Sequence, residues 1–446
     1  MKVLFISLGC DKNLVDSESM LGYLAQKGYE ITDDEMQAEA VVVNTCCFIH
    51  DAKQESVDVI LEMADLKKEG YLKALIVCGC LAQRYQDEIK EEIPEVDVIL
   101  GTQAIEHIVT ALENILNGNK ENILPDIDTP LPKLGKRMIT TGGHYAYLKI
   151  AEGCDKHCTY CIIPKVRGKY RSVPMDELIK QAEGLVEEVG VKELILVAQE
   201  TTLYGMDLYG EKKLPELITK LSQIRGLKWV RILYCYPEEI DDMLIEAIAS
   251  NDKVCNYLDI PVQHASDKIL KRMGRRTSKS ELEDIISRLR SRIPDICLRT
   301  TLISGFPGET EKDHEEVMNF VDRMEFDRLG VFTYSKEEDT PAALMDNQIE
   351  EEVKENRRAQ IMELQQEIAF EKAEAMIGRT VLAMIEGRIA EESAYIARTY
   401  MDAPNVDGYL FINTHKDLMT GDFAYVRITG SNEYDLIGEL EDEFSE

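Results

Sequence analysis

The stretch HYAYLKIAEG, residues 144–153, runs without a break into CDKHCTYC, residues 154–161. Its first part is a short apolar run ended by glycine, the pattern of a β-strand. Its second part spaces Cys154, Cys158 and Cys161 as C-x3-C-x2-C, with no fourth cysteine close by. Three thiolates hold three irons of a cubic 4Fe–4S cluster and leave the fourth iron open to a non-protein ligand. Zinc is the competing reading, but closed zinc sites usually pair two ligands at short spacing with a second pair further on. A strand that delivers a reactive loop from its carboxyl end is the arrangement of a (β/α) barrel.

Working outward, five more strand-like runs follow: KELILVAQ (192–199), WVRILY (229–234), NYLDIPVQ (256–263), CLRTTLISGF (297–306) and RLGVFTYS (328–335). Helical patterns separate them at 175–190, 214–224, 238–250, 266–290 and 310–324, and a long amphipathic helix covers about 349–376. Together they predict an incomplete (β/α)6 barrel over residues 140–370, with functional residues in the loops at the strand carboxyl ends. Those loops carry Gln199, Glu200 and Thr201, then Gln263 and His264, then Gly305-Phe306-Pro307-Gly308-Glu309-Thr310. The glycines of that last turn let backbone approach a nucleoside; the same residues also suit a plain helix entry with Glu309 near the positive N-terminus. Tyr160 has two equal readings, covering the cluster and its ligand or packing on the barrel.

Residues 1–117 alternate KVLFISLG (2–9), AVVVNT (40–45), KALIVCG (73–79) and VDVILG (96–101) with helical patterns at 14–28, 50–69, 81–92 and 104–116. This predicts a doubly wound parallel sheet. Cys10, Cys46 and Cys80 each fall just past one of its strands, where ligands gather in such sheets, so the three are expected to converge and again leave one iron open. Cys47 and Cys78 are near rivals. Cys78 falls inside its strand and Cys47 trails its neighbour, which favours Cys46 and Cys80. The other cysteines, Cys235, Cys255 and Cys297, read as core. Residues 118–139, rich in Pro and Gly, read as an extended linker. Residues 373–441 hold RTVLAMIEGRI, YIARTY, GYLFINT, DFAYVRITG and YDLIGEL, a small antiparallel β-barrel of OB-like size.

Composition narrows the setting. Eleven cysteines among 446 residues, several adjacent, suit metal ligation in a reducing cytosol better than a disulfide framework. No run is apolar and long enough to span a membrane, and the start reads as a first strand rather than a signal peptide. With 51 basic and 83 acidic residues the formal charge is −32, a surface that repels polyanions and attracts basic partners. From residue 375 onward 5 Lys or Arg face 14 Asp or Glu, a net of −9. Lys165, Arg167, Lys169 and Arg171, and Lys268, Lys271, Arg272, Arg275 and Arg276, are local basic exceptions. They suit a cofactor carboxylate, a substrate aspartate or rRNA, and the second group equally a solvated helix face.

The cysteine loop, with an aromatic before its last cysteine, resembles the radical S-adenosylmethionine (SAM) superfamily. The resemblance implies that SAM chelates the open iron through its amino and carboxylate groups, and that reduction releases a 5′-deoxyadenosyl radical. Tyr160, Gln199, Glu200, His264, Gly305, Pro307 and Glu309 are then the candidate cofactor-binding residues. With the upstream cysteines and the terminal barrel, the whole chain resembles the methylthiotransferase family, whose last domain is named TRAM. Ser7-Leu8-Gly9-Cys10-Asp11-Lys12-Asn13-Leu14-Val15-Asp16-Ser17-Glu18 resembles its RimO type, where the tRNA-modifying MiaB type has a Gly-Cys-Gln-Met-Asn-like sequence. The RimO type implies two 4Fe–4S clusters of three cysteines each. It implies insertion of sulfur and a methyl group at the β-carbon of an aspartate in small-subunit ribosomal protein number twelve. It also implies an external electron donor and a sulfur source, with the second open iron holding the sulfur or methylthio unit. The acidic terminal barrel suits a basic protein better than a phosphate backbone; a tRNA adenosine methylthiotransferase is the alternative.

Overall fold

The structure, a computed structural model, describes residues 1–133, 135–390 and 393–441. Its first sheet is parallel, with β1 (Lys2–Ser7), β2 (Glu30–Thr32), β3 (Ala40–Thr45), β4 (Ala74–Cys78) and β5 (Val98–Leu100) in the order β2-β1-β3-β4-β5. Neighbouring side chains of its central strands go to opposite faces. Val41, Val43, Leu75 and Val77 pack with Ile60, Met63 and Leu81 on one side, and Ala40, Val42, Ala74 and Ile76 pack with Met20, Leu24 and Leu112 on the other. Burial on both faces is why these strands are continuous apolar runs. The helices are α1 (Asp11–Gln26), α2 (His50–Lys68), α3 (Gly79–Arg84), α4 (Gln86–Glu92) and α5 (Ile108–Leu116). Two features depart from the expected pattern. The edge strand β2 has only three residues, Glu-Ile-Thr, too short and polar to show as a run. The single helix expected at 81–92 is two, broken at Tyr85.

The central sheet contains β6 (Tyr145–Lys149), β9 (Glu193–Val197), β10 (Trp229–Ile232), β11 (Val254–Asp259), β12 (Cys297–Ser304) and β13 (Arg328–Thr333), all parallel, in the order β13-β12-β11-β10-β9-β6. A two-residue ribbon, β7 (Ala151–Glu152) with β8 (Arg171–Ser172), follows its first strand. β6 and β13 are its two edges, so the barrel is incomplete. Helices cover the outer face, where Leu148, Leu196, Ile232 and Leu298 pack with Leu178, Leu217 and Leu282. The helix expected at 266–290 is divided into Asp267–Arg272 and Lys279–Arg292. Gly274 turns the chain at φ +74°, and a capping box at Ser278 restarts it. The inner face is filled from other parts of the chain: Tyr145, Tyr147, Trp229 and Tyr257 pack with Val15 of α1 and with Met384 and Ala403.

The last five strands, β14 (Thr380–Arg388), β15 (Ala394–Thr399), β16 (Leu410–Asn413), β17 (Phe423–Asn432) and β18 (Asp435–Leu440), close into a barrel in the order β14-β15-β16-β18-β17. The barrel is not wholly antiparallel. β16 and β18 run parallel, because the chain crosses from β16 to β17 and returns through β18 to close the gap.

Candidate functional site

The upstream cysteines meet at the carboxyl end of the first sheet. Cys10 is the residue before α1, Cys46 follows β3, and Cys80 lies in the first turn of α3. The three are within electrostatic reach of one another. Gly9, at φ +87°, makes the approach possible: a Cβ there would stand 2.7 Å from Cys46 Cβ and 2.9 Å from its Sγ. Gly79 does the same for the next crossing, since a Cβ would meet Asn44 Oδ1 at 2.3 Å and Thr45 O at 2.5 Å. Cys47 packs among Ile60, Leu81 and Ala82, while Cys78 packs among Val42, Ile76 and Leu100 on the opposite face of the sheet. Cys235, Cys255 and Cys297 are buried in the core of the central unit.

Cys154, Cys158 and Cys161 cluster in the same way at the end of β6 and β7. Gly153, at φ +79°, lets the loop run flush against the next segment, where a Cβ would collide with Lys169 O at 2.1 Å. The loop is pinned by Thr159, whose N–H donates to Met273 O at 2.9 Å and whose hydroxyl donates to Arg272 O at 2.8 Å. All eleven cysteines are free thiols. Burial pushes the Cys46 and Cys154 thiols up to about 12, so a metal must displace their protons to bind. Among the described residues no three His, Cys, Asp or Glu side chains close tightly enough to hold a single metal ion. A cubic cluster is a larger body that spreads its three thiolates over three corners. Two sets of three convergent, unpaired thiols therefore fit that donor chemistry.

A buried polar wall separates the two sets. Arg167, at the end of the short helix after the cysteine loop, donates from Nε to Cys80 Sγ at 3.2 Å. Its Nη1 donates to Asp16 at 2.7 Å and to Glu152 at 3.2 Å, and its Nη2 to Asn13 Oδ1. Lys149 joins Glu152 at 2.7 Å and also Asp16, and Gln199 donates to Glu152 at 2.7 Å. Burial alone would raise the Glu152 carboxyl, but Lys149 and Arg167 outweigh it and hold the group well below the usual carboxylate range.

On the far side of the radical-type loop, Cys158 Sγ lies 3.5 Å from the Tyr236 hydroxyl and 3.9 Å from Arg275 Nη1. The Arg275 guanidinium stacks on Tyr236 at 4.3 Å. Glu200 is fully buried within electrostatic reach of Cys154, and burial pushes its carboxyl up to about 7 against the pull of Thr202 and Lys156. Tyr160 meets Phe306 edge-on at 6.4 Å and packs with Met273 and Ala342, while its hydroxyl faces Cys158 and Arg275. Its ring packs and its polar end borders the cysteine loop.

The turn at 305–309 is tied into the protein. Glu309 accepts from Gly305 N at 2.8 Å and Phe306 N at 3.1 Å, pairs with Arg357 at 2.9 Å, and lies 3.5 Å from His264 Nε2. Pro307 O accepts from Arg272 at 3.0 Å. The room freed by Gly305 is taken by the Lys354 stem, 2.2 Å from where a Cβ would stand. Gly305, Pro307 and Glu309 therefore shape the loop from within, and His264 is tied to it through Nδ1, which accepts from Ser266 N at 2.9 Å. Three polar atoms stay open: Gln199 Oε1, Glu200 Oε2 and His264 Nε2 are each buried without a hydrogen-bond partner.

Sequence reasoning gave no role to Asn13, Asp16, Lys149, Glu152 or Tyr236. A signal for two of them was present: Asn13 and Asp16 are three residues apart, and on a helix beginning beside Cys10 they share one face. Arg167 and Arg275, read from the sequence as partners for a cofactor carboxylate, a substrate aspartate or rRNA, are buried against cysteines, whereas Lys268, Lys271 and Arg276 are exposed.

Comparison with known proteins agrees with this layout. Residues 2–101 match a family described as Uncharacterized protein family UPF0004, residues 148–321 the Radical SAM superfamily, and residues 377–440 the TRAM domain. The chain is 60% identical to ribosomal protein uS12 methylthiotransferase RimO of Lachnoclostridium phytofermentans, over 99% of this chain and 100% of that one. It is 50% identical to the protein of that name from Acetivibrio thermocellus (100% and 99% covered) and 48% identical to that of Clostridioides difficile (99% of each). Among solved structures it resembles the radical S-adenosylmethionine methyltransferase TsrM of Kitasatospora setae, solved with cobalamin and a 4Fe–4S cluster. The TM-score is 0.56 and the identity 13%, with 77% of each chain covered. The cobalamin-dependent radical enzyme OxsB matches with a TM-score of 0.52 and 15% identity, over 77% of this chain and 54% of that one. At such identity these two likenesses speak of fold alone.

Proposed function

The chain belongs to the RimO family of ribosomal protein uS12 methylthiotransferases, and from that premise we propose that it attaches a methylthio group to the β-carbon of an aspartate in uS12. Cys154, Cys158 and Cys161 would hold the 4Fe–4S cluster that takes SAM, and Cys10, Cys46 and Cys80 a second one. Together these groups supply radical chemistry to a C–H bond that acid–base catalysis does not reach.

The chain's own part is positional. Thr159 anchors the first cysteine loop, and Tyr236 and Arg275 cover Cys158. Gln199 offers an unpaired amide oxygen to the ligand. Glu152, Lys149, Asp16 and Arg167 form a buried polar network between the two sets. The observation that carries the reading is the reach of Arg167, which leaves one cysteine loop to touch a sulfur of the other. The acidic terminal barrel favours a basic protein substrate over tRNA. No helix of the described residues is long and apolar enough to cross a membrane. Modification of a ribosomal protein would take place in the cytosol, and it would draw on an external reductant and sulfur source.

The test is anaerobic reconstitution, followed by incubation with SAM, a reductant, sulfide and either a uS12 peptide or tRNA. Methylthio mass gain on the peptide, with neither product nor 5′-deoxyadenosine from Cys154→Ala, is expected. Gain on tRNA alone would refute the substrate.

A further inference from the structure

Arg167 lies six residues past Cys161 in the chain and is 2% exposed. All three of its guanidinium nitrogens are committed: Nε to Cys80 Sγ, Nη1 to Asp16 and Glu152, Nη2 to Asn13. A planar fork held at every nitrogen has one orientation, which a lysine cannot reproduce. Of its three partners besides Cys80, Asn13 and Asp16 lie on α1 beside Cys10, and Glu152 lies two residues before Cys154. The guanidinium thus touches a sulfur of the upstream set while being anchored beside the other.

We propose that Arg167 is a positioning residue for the second cluster, setting its reduction potential and holding Cys80 in register with the Cys154 loop. The proposal rests on the functional reading above, since it takes Cys80 as a cluster ligand. Hydrogen bonds to cluster sulfurs and nearby positive charge favour the reduced, more negative state and so raise the potential. The wall balances Arg167 and Lys149 against Asp16 and Glu152. Removing the guanidinium therefore takes away the sulfur's donor and also leaves two carboxylates facing one ammonium, and both effects lower the potential.

The experiment is a potentiometric titration of the anaerobically reconstituted holoenzyme, followed by electron paramagnetic resonance, in the wild-type chain, Arg167→Lys and Arg167→Met. The second cluster is the signal that SAM leaves unchanged. The expected midpoint order is wild type highest, Arg167→Lys intermediate and Arg167→Met most negative, at equal iron content. A common midpoint overturns the proposal. Should a variant not fold or not load, the wild-type chain carrying 15N-arginine decides: hyperfine coupling of an arginine nitrogen to the SAM-insensitive signal supports the assignment, and its absence overturns it. If the wild-type chain itself loads only one cluster, the functional reading fails first and takes this proposal with it.

Discussion

At the scale of single residues, the site depends on atoms that are missing as much as on those present. Gly9 has room for hydrogen only, because the Cys46 side chain occupies the place of a Cβ, and its φ of +87° is costly for any other residue. Gly9→Ala is therefore expected to displace Cys46 or Cys10. The variant should keep the iron of the Cys154 loop and SAM cleavage while losing the second cluster's iron and the methylthio product. Iron and sulfide analysis beside 5′-deoxyadenosine assay checks this; full iron loading would contradict it. The convergence of Cys154, Cys158 and Cys161 was legible because the three lie within eight consecutive residues of one loop. Asp16, Glu152 and Tyr236 were not, because their meaning lies in partners that the fold brings from far along the chain. Glu309 shows the converse: placed at a strand end among the candidate ligand groups, it spends hydrogen bonds on its own loop, a role only the fold displays.

At the scale of elements, loops after the central strands are held by helix caps. The helix Glu311–Met324 begins with a capping box in which Thr310 and Asp313 bond reciprocally. Asp313 also accepts from Ser266 and Lys268, each at 2.7 Å, fixing the loop after β11. Burial works to raise this carboxyl, but the bonds from Lys268, Thr310 and Ser266 prevail and hold it well below the usual aspartate range. A depressed native value stabilises the fold above the unfolded value and is lost as pH falls below it. Asp313→Ala is expected to cost about 1–2 kcal/mol near neutrality, the range of a lost cap, with the gap to wild type closing below pH 3.8. Denaturant melts across pH test this; a gap that persists in acid would argue for packing instead. Strand runs and helix periods were legible at this scale because burial on one or both faces writes them into the sequence. The edge strand β2, the breaks at Tyr85 and Gly274, and the parallel β16–β18 pair were not, since each is set by a neighbour or a turn.

At the scale of the whole molecule, the open barrel is closed by other parts of the chain. α1 lies along one edge, with Glu18 pairing Arg137 and Asp16 pairing Lys149. At the other edge, Lys53 and Arg84 bind Glu337 beyond β13, at 2.7 and 3.2 Å. The first unit thus spans the gap between β6 and β13 and brings its cysteines over the strand ends. The terminal barrel fills the opposite end. Glu193 of β9, fully buried, pairs with Arg231 and with Arg398 of β15, each at 2.7 Å, and Phe423 meets Trp229 at 4.9 Å. Glu193→Ala leaves the buried Arg231 without a carboxylate partner and Arg398 with Glu386 alone, a loss of about 3–5 kcal/mol. A lower melting point and faster proteolysis between residues 374 and 380 are expected; unchanged melting would mean that the other contacts, such as Arg328 with Asp402, hold the barrel without this pair. Three units in sequence order were legible, but their embrace was not, because no periodic pattern records which surfaces meet.

The central claim is that two three-cysteine clusters face one enclosed space across the Arg167 wall. An anaerobic crystal structure with both clusters loaded tests it most directly. The account predicts Cys10, Cys46 and Cys80 on one cluster and Cys154, Cys158 and Cys161 on the other, with both unligated irons toward a common cavity beside Arg167 and Gln199. A side chain bound to either fourth iron, or open corners directed to opposite surfaces of the molecule, would contradict it.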